Sequence, residues 1–247
     1  MAKAVLIIAP GGGGKSHAIQ YLNPESTFII APDDKELPFR GYENMYKEVI
    51  EAGVFKGGKS NLRNTKSFPE IMTLLDQISE KKTKIKVVVI DTVTHAQVES
   101  VISKLNETGY TKYTQFAVEL KDLINKIRKL RSDLYVIVMA HVDIVEVGGE
   151  KKYAMKVPAG KFTRDVIDPE SLFTITLGSN TVLKDGKVTG YFITNGSPYR
   201  SPEGMFDSIY IPNDLKYVIS CADAYYNDKP MPESKAVKVV DASSDNF

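Results

Sequence analysis

At 247 residues and 43% apolar content, the chain is long enough for one large α/β domain or two small ones around a sizeable core. Its 32 basic and 31 acidic residues nearly cancel to a net charge of +1, so bulk charge points to no nucleic-acid partner and any such surface must come from local clustering. Cys221, the single cysteine, excludes an internal disulfide and a cysteine metal cluster, and no apolar stretch approaches the roughly 18 residues of a membrane span; a cytoplasmic protein is expected.

Met1 to Ile8 reads as a buried strand. It runs through Val5-Leu-Ile-Ile-Ala-Pro-Gly-Gly-Gly-Gly-Lys-Ser16 into a short helix, Ser16 to Leu22, that Pro24 stops. Strand, glycine turn and helix in this order form a phosphate cradle: residues without side chains let several backbone N–H groups turn toward one anion, and the helix dipole adds to them. The candidate nucleotide-binding residues are Pro10, Gly11, Gly12, Gly13, Gly14, Lys15, Ser16 and His17. Lys15 is expected on the β/γ-phosphates and Ser16 on Mg²⁺. The G-x-x-x-x-G-K-[ST] pattern would place glycine where this chain has Ala9, which costs some specificity.

Thr27 to Ala31 reads as the second strand, followed by Asp33 and Asp34, the first candidates to orient an attacking water, with Glu36 and Glu99 behind them. Helical spacing is expected over Glu43 to Ala52 and Phe68 to Glu80. The basic, glycine-containing stretch Phe55 to Lys66 between them reads as a mobile loop. Val87-Val-Val-Ile-Asp91 is a β-branched run ending in a carboxylate, the form of a central parallel strand that holds Mg²⁺ beside a phosphate loop; a plain helix cap with Thr92 is the competing account.

A long amphipathic helix follows, with Phe116, Leu120, Leu123, Ile127 and Leu130 on one stripe, and then a buried strand, Leu134 to Ala140, ending at His141. His141 is thereby expected on the phosphate edge, as a sensor of the γ-phosphate. Strand–helix alternation predicts a mostly parallel twisted sheet flanked by helices. Beyond it, hairpins are expected around Gly148-Gly149 and around Lys184 to Lys187, with Leu172 to Leu177 a strand between them and Asp214 to Tyr226 a closing helix. Residues 1–227 form the expected domain and 228–247 a disordered acidic tail.

For nucleic acid the candidates are Lys56, Lys59, Arg63, Lys66, Lys151 and Lys152, with Phe55, Phe68 and Tyr153 to stack bases; simple solvation of loop lysines competes with that reading. The acidic tail ending in Phe247 is a candidate contact for a partner protein.

On these residues the chain resembles the phage-encoded RecA-like P-loop ATPases, the AAA-type group that includes single-strand annealing recombinases. The likeness covers roughly residues 3–227 and rests on the glycine-Lys15-Ser16 segment, Val-Val-Val-Ile-Asp91 and Met-Ala-His141. It rests further on Val157-Pro-Ala-Gly-Lys161, Ser201-Pro-Glu-Gly-Met-Phe206 and Ile211-Pro-Asn-Asp-Leu215. The resemblance implies a RecA-like P-loop NTPase fold with C-terminal β-hairpins, Mg²⁺-dependent ATP hydrolysis between protomers of a homo-oligomer, and assembly on single-stranded DNA for annealing or strand exchange. It carries Lys15, Ser16, Asp91 and His141 into nucleotide and metal roles, puts Asp33 or Asp34 where the family uses glutamate, and makes Arg200 a finger to a neighbour's γ-phosphate. A nucleotide-gated binding module without turnover, and a small-molecule kinase, are the alternatives. No N-K-x-D guanine signature occurs, which favours ATP.

Overall fold

The structure, a computed structural model, describes residues 1–49, 60–80, 83–104, 106, 111–147, 149–158, 160–184, 186–237 and 239. Among these, the strands are β1 (Lys3–Ala9), β2 (Thr27–Ile30), β3 (Leu62–Arg63), β4 (Val87–Ile90), β5 (Tyr135–Val147), β6 (Glu150–Met155), β7 (Ile175–Lys184), β8 (Lys187–Ile193) and β9 (Tyr210–Pro212). The helices are α1 (Tyr42–Met45), α2 (Phe68–Glu80), α3 (Val93–Ser103), α4 (Thr111–Lys129), α5 (Lys161–Val166) and α6 (Leu215–Tyr226).

The strands lie in the order β3-β2-β4-β5-β1-β7-β8-β9, with β6 added to the far end of β5. From β3 to β7 all pairs are parallel, whereas β6, β8 and β9 are antiparallel additions. This is the expected mostly parallel sheet flanked by helices, with hairpins toward the carboxyl terminus.

The alternation of a strand's side chains separates two cores. Leu6 and Ile8 of β1 face Leu74, Leu123 and Ile127 of α2 and α4, whereas Val5 and Ile7 face Ile19 and, on α6, Val218 and Ala222. All four residues of β4 are buried, as a strand covered by helices on both faces requires. Each fully buried aliphatic side chain contributes about 1.5–3 kcal/mol, so these two layers hold the strand ends at fixed positions.

Several elements differ from their expected form. The segment after the glycines is a 3₁₀ helix, Ser16–Tyr21. The helix expected over Glu43–Ala52 is one turn, α1, and residues 50–52 lie outside the described residues. Asn61 accounts for the early stop: its carboxamide accepts from the Lys47 amide at 2.9 Å and donates to the Met45 carbonyl at 3.0 Å, drawing the chain onto the sheet edge, where the Val49 amide donates to the Leu62 carbonyl at 2.7 Å. Part of the expected mobile loop is therefore strand β3; residues 55–59, with Phe55, Lys56 and Lys59, lie outside the described residues.

The strands ending at His141 and Leu177 do not stop there. β5 and β7 continue past the sheet edge into the first arms of the two hairpins, so the hairpins project from the edge on either side of β1. Residues just beyond α6 also keep contacts: Lys229 pairs with Asp223 at 2.7 Å, Lys235 lies 5.4 Å from the Tyr217 ring centre, and the Val237 amide donates to the Tyr210 carbonyl at 2.9 Å. Residues 241–247, the expected partner contact, lie outside the described residues. Among the described residues no helix is long and apolar enough to cross a membrane.

Candidate functional site

Parallel strands deliver their carboxyl ends to one edge, and the register fixes what meets there. Ala9, the last residue of β1, pairs with His141 on β5; Ile90, before Asp91, pairs with Ile30 on β2 and with Val138 on β5. The phosphate loop, Asp33, Asp91 and His141 thus share one edge although up to 132 residues separate Ala9 from His141.

The loop is tightly folded. The Gly13 amide donates to the Pro10 carbonyl at 3.2 Å, and Lys15 Nζ donates to the carbonyls of Pro10 at 3.0 Å and Ala9 at 3.1 Å. A Cβ at Gly13 would lie 2.9 Å from the Ser179 carbonyl oxygen, and Gly14 has φ +83°, so each position requires glycine for its own reason. Lys15 is 6% exposed; burial pulls its pKa down, and Asp91 and Asp33 oppose that shift.

The Asp91 carboxylate lies within electrostatic reach of the loop residues Lys15 and Ser16. Burial raises the Asp91 pKa to about 6, the nearby Asp33 adds to the rise, and Ser16, Lys15 and Lys35 counter it. Asp91 Oδ1 and the neighbouring Thr92 Oγ1 are buried without a partner. A carboxylate with an orphaned oxygen, close to the Ser16 hydroxyl, suits a hard divalent ion. No group of three His, Cys, Asp or Glu side chains among the described residues would hold an ion by itself, so Ser16 and Asp91 fit Mg²⁺ only together with a nucleotide. The capping account of Asp91 is not the one realised: Thr92 is the N-cap of α3.

Asp33 and Asp34, equivalent in the sequence, part company. Asp33 is half-buried and acts electrostatically on Lys15, Asp91 and His95. Asp34 is exposed, has φ 53°, and lines a separate rim with Asn64, Lys66 and Glu99. The two candidates therefore lie in different surroundings.

His141 meets a residue that sequence reasoning missed. Its ring packs edge-on against His95 on α3, with centroids 5.7 Å apart at 74°, and its amide donates to Thr94 Oγ1 at 3.0 Å. Burial pushes the His141 pKa down to about 4, assisted by Lys15, His95, Lys156 and Lys35. Burial lowers His95 as well, against Asp33. Both rings are neutral at pH 7, one donor and one acceptor each. The chain has three histidines, and the third, His17, lies on the other side of the loop with Nδ1 3.1 Å from the Pro38 carbonyl oxygen; that scarcity was the available signal for His95.

A cleft of about 420 Å³ continues from the loop. Gly12 to His17 form one wall, Pro38 another, and Thr181, Val188, Gly190 and Asn213 the third. Ser179 and Asn213, also missed from the sequence, hold the loop from behind: Ser179 Oγ donates to the Gly13 carbonyl at 2.5 Å and Asn213 Nδ2 donates to Ser179 Oγ at 2.9 Å.

Arg200 makes hydrogen bonds within its own chain. Its backbone exchanges 2.8 Å hydrogen bonds with Thr176, and its guanidinium donates from Nε to the Phe173 carbonyl at 3.0 Å and from Nη2 to the Glu170 carbonyl. Thr176 pairs with Leu6, so these carbonyls lie toward the amino ends of the strands, away from the phosphate loop. A guanidinium bound to its own chain in this way ties β7 to the segment before it, although the residue is exposed. Of the nucleic-acid candidates, Arg63 is paired with Glu70 at 2.8 Å and Phe68 is buried in the core, whereas Lys151, Lys152 and Tyr153 lie on β6.

The model of an AAA domain family matches residues 1–195, more than three quarters of the chain and the whole sheet from β1 through β8. The chain belongs to this AAA family. The matched residues include the glycine loop with Lys15 and Ser16 and the strand that leads to Asp91. No curated protein sequence matches the chain. Among solved structures, a KaiC-like protein from the hyperthermophilic archaeon Pyrococcus horikoshii OT3 is similar over 81% of each chain, with 11% identity and a TM-score of 0.45. The RadB recombinase is similar over 77% of this AAA domain chain and 80% of its own, with 14% identity and a TM-score of 0.45.

Proposed function

We propose that this AAA domain binds ATP with Mg²⁺ and hydrolyses it, working as a homo-oligomer on single-stranded DNA in annealing or strand exchange. The observation that carries the hydrolytic part is the meeting of Lys15, Ser16, Asp91, Asp33 and the His95–His141 pair on one sheet edge, each with a role that phosphoryl transfer needs.

Gly11 to Ser16 receive the phosphates on backbone amides, and Lys15 leaves the Ala9 and Pro10 carbonyls to neutralise charge on the transferred group. Bound Mg²⁺ supplies Lewis-acid neutralisation of the β/γ-phosphate oxygens. Ser16 and Asp91 would hold the ion, beside which Asp91 would be ionised in spite of its burial. Asp33 orients the attacking water, because it is the half-buried acid on the Lys15 side of the edge. His141, neutral and beside Ala9, hydrogen bonds the γ-phosphate or the water and reports its loss along β5. The 420 Å³ cleft takes the nucleoside end.

The DNA part is supported by the β5–β6 hairpin. It is continuous with His141, the Lys156 amide donates to the His141 carbonyl at 2.7 Å, and its outer part carries Lys151, Lys152 and Tyr153, with Ile144 opposite Tyr153. Asp143, Glu146 and Glu150 leave this arm without net positive charge, so Lys151, Lys152 and Tyr153, on the hairpin continuous with His141, are the groups that would link nucleotide state to a phosphodiester backbone. ATP turnover with and without single-stranded DNA tests the reading. Stimulation by DNA is expected; turnover without stimulation removes the DNA part, and binding without turnover removes hydrolysis.

A further inference from the structure

We propose that Ser179 and Asn213 are positioning residues for the phosphate cradle: a relay that begins in the turn between β9 and α6, crosses β7 and ends on the Gly13 carbonyl, setting the Gly14 amide for the phosphate chain. This rests on the nucleotide-binding reading above and adds to it the residues that give the loop its working shape.

The Gly13 carbonyl can only accept, so Ser179 Oγ must spend its one proton there, at 2.5 Å. Ser179 then has only lone pairs left for Asn213, which must present Nδ2, at 2.9 Å. That choice leaves Asn213 Oδ1 buried without a partner. The opposite orientation of the carboxamide would place an acceptor on Ser179 and draw its proton away from Gly13. The carboxamide is oriented for the relay at the expense of its own carbonyl, which ordinary packing has no reason to require.

The consequence at the loop follows from peptide planarity. The Gly13 C=O and the Gly14 N–H belong to one plane and point in opposite directions, so a carbonyl held against β7 turns the Gly14 amide away from it. The φ of +83° at Gly14 admits this orientation. The relay has little freedom to drift: a Cβ at Gly13 would stand 2.9 Å from the Ser179 carbonyl oxygen, one at Gly14 would stand 3.4 Å from Asn213 Nδ2, and one at Gly190 would stand 2.9 Å from Asn213 Cβ. The Asn213 amide also donates to the Gly190 carbonyl at 3.3 Å, fixing its backbone to β8. Segments 166 and 34 residues apart in sequence thus converge on one peptide group.

The test uses the full chain and its S179A, N213A and S179A/N213A variants, with calorimetry of Mg²⁺-ATP and of Mg²⁺-tripolyphosphate, which has no nucleoside. Thermal melts beside each titration confirm that the variants are folded, and N213A stands in if S179A does not fold. The relay predicts that each single variant weakens both ligands by the same factor, about tenfold for the loss of one net hydrogen bond. The double variant should be no weaker than the weaker single one, since breaking either link frees the same carbonyl. Unchanged affinity in a folded single variant overturns the proposal. So does a loss confined to ATP, which would make Asn213 a nucleoside contact, and so do losses that add in the double variant. If the wild-type chain binds neither ligand, the nucleotide reading fails and takes the relay with it; if it binds and S179A matches it, the relay fails by itself.

Discussion

The Asp91 carboxylate at the end of β4 lies within electrostatic reach of Ser16 in the phosphate loop, and its Oδ1 is buried without a partner. The pair is arranged for an ion that brings its own charge. Without that charge, burial disfavours ionised Asp91 and holds its pKa near 6 instead of 3.8.

A pH-dependent stability follows. A raised folded-state pKa means that Asp91 contributes stability that is full below about 3.8 and is lost as the pH climbs through about 6. Asp91→Asn removes the penalty, so in the absence of nucleotide the variant should be more stable than the wild type at pH 7.5, by up to ~3 kcal/mol, with the advantage shrinking toward pH 4. Urea melts at the two pH values measure it. A destabilised variant at pH 7.5 would show that the carboxylate is compensated by groups other than those named. The same variant should lose Mg²⁺-dependent turnover by about 10²-fold or more.

Lys15→Met should abolish turnover and weaken nucleotide binding while leaving the fold intact. Its ammonium is buried against two carbonyls and its pKa is lowered, so a methionine of similar length fits the space without the desolvation cost. Equilibrium binding of a fluorescent ATP analogue beside a melting curve separates the two effects, and unchanged binding would remove Lys15 from the cradle.

Asp33→Asn and Asp34→Asn distinguish the two acids. The first should lower kcat by about 10²–10⁴-fold with little change in KM, as loss of a water-orienting group does, and the second should stay within about threefold of wild type. Asp34 lines the rim with Lys66 and Glu99, whereas Asp33 acts electrostatically on Lys15. Steady-state kinetics decides, and equal losses would mean that the acids share the task.

Arg200→Ala should act on stability and not on cooperation between subunits. Losing charge-assisted hydrogen bonds to Phe173 and Glu170 carbonyls predicts about 1.5–3 kcal/mol of destabilisation. Mixing Arg200→Ala with Lys15→Met chains should give no turnover beyond that of the folded Arg200→Ala fraction. A fully stable but inactive Arg200→Ala chain would restore the finger role.

Much of the architecture was readable from local pattern. The apolar run before the glycines, the Val-Val-Val-Ile stretch of β4 and the i, i+3, i+4 spacing of Phe68, Ile71, Leu75 and Ile78 each require burial on one or both faces, whatever their neighbours are. The cradle, Lys15, Ser16 and the Asp91 position were equally plain, because glycine, a β-branched run and a terminal acid are local signatures. The early end of α1 was not, since Asn61, sixteen residues from Met45, supplies the hydrogen bonds that stop it.

What local pattern left open, long-range packing decided. Which aspartate faces Lys15, which histidine joins His141, and which hydroxyl holds the Gly13 carbonyl all depend on strand register and on contacts up to 166 residues apart. Composition and periodicity determine that a strand is buried and where it ends. They carry no information about which other strand lies beside it, and a side chain acquires its role at this sheet edge only from that neighbour.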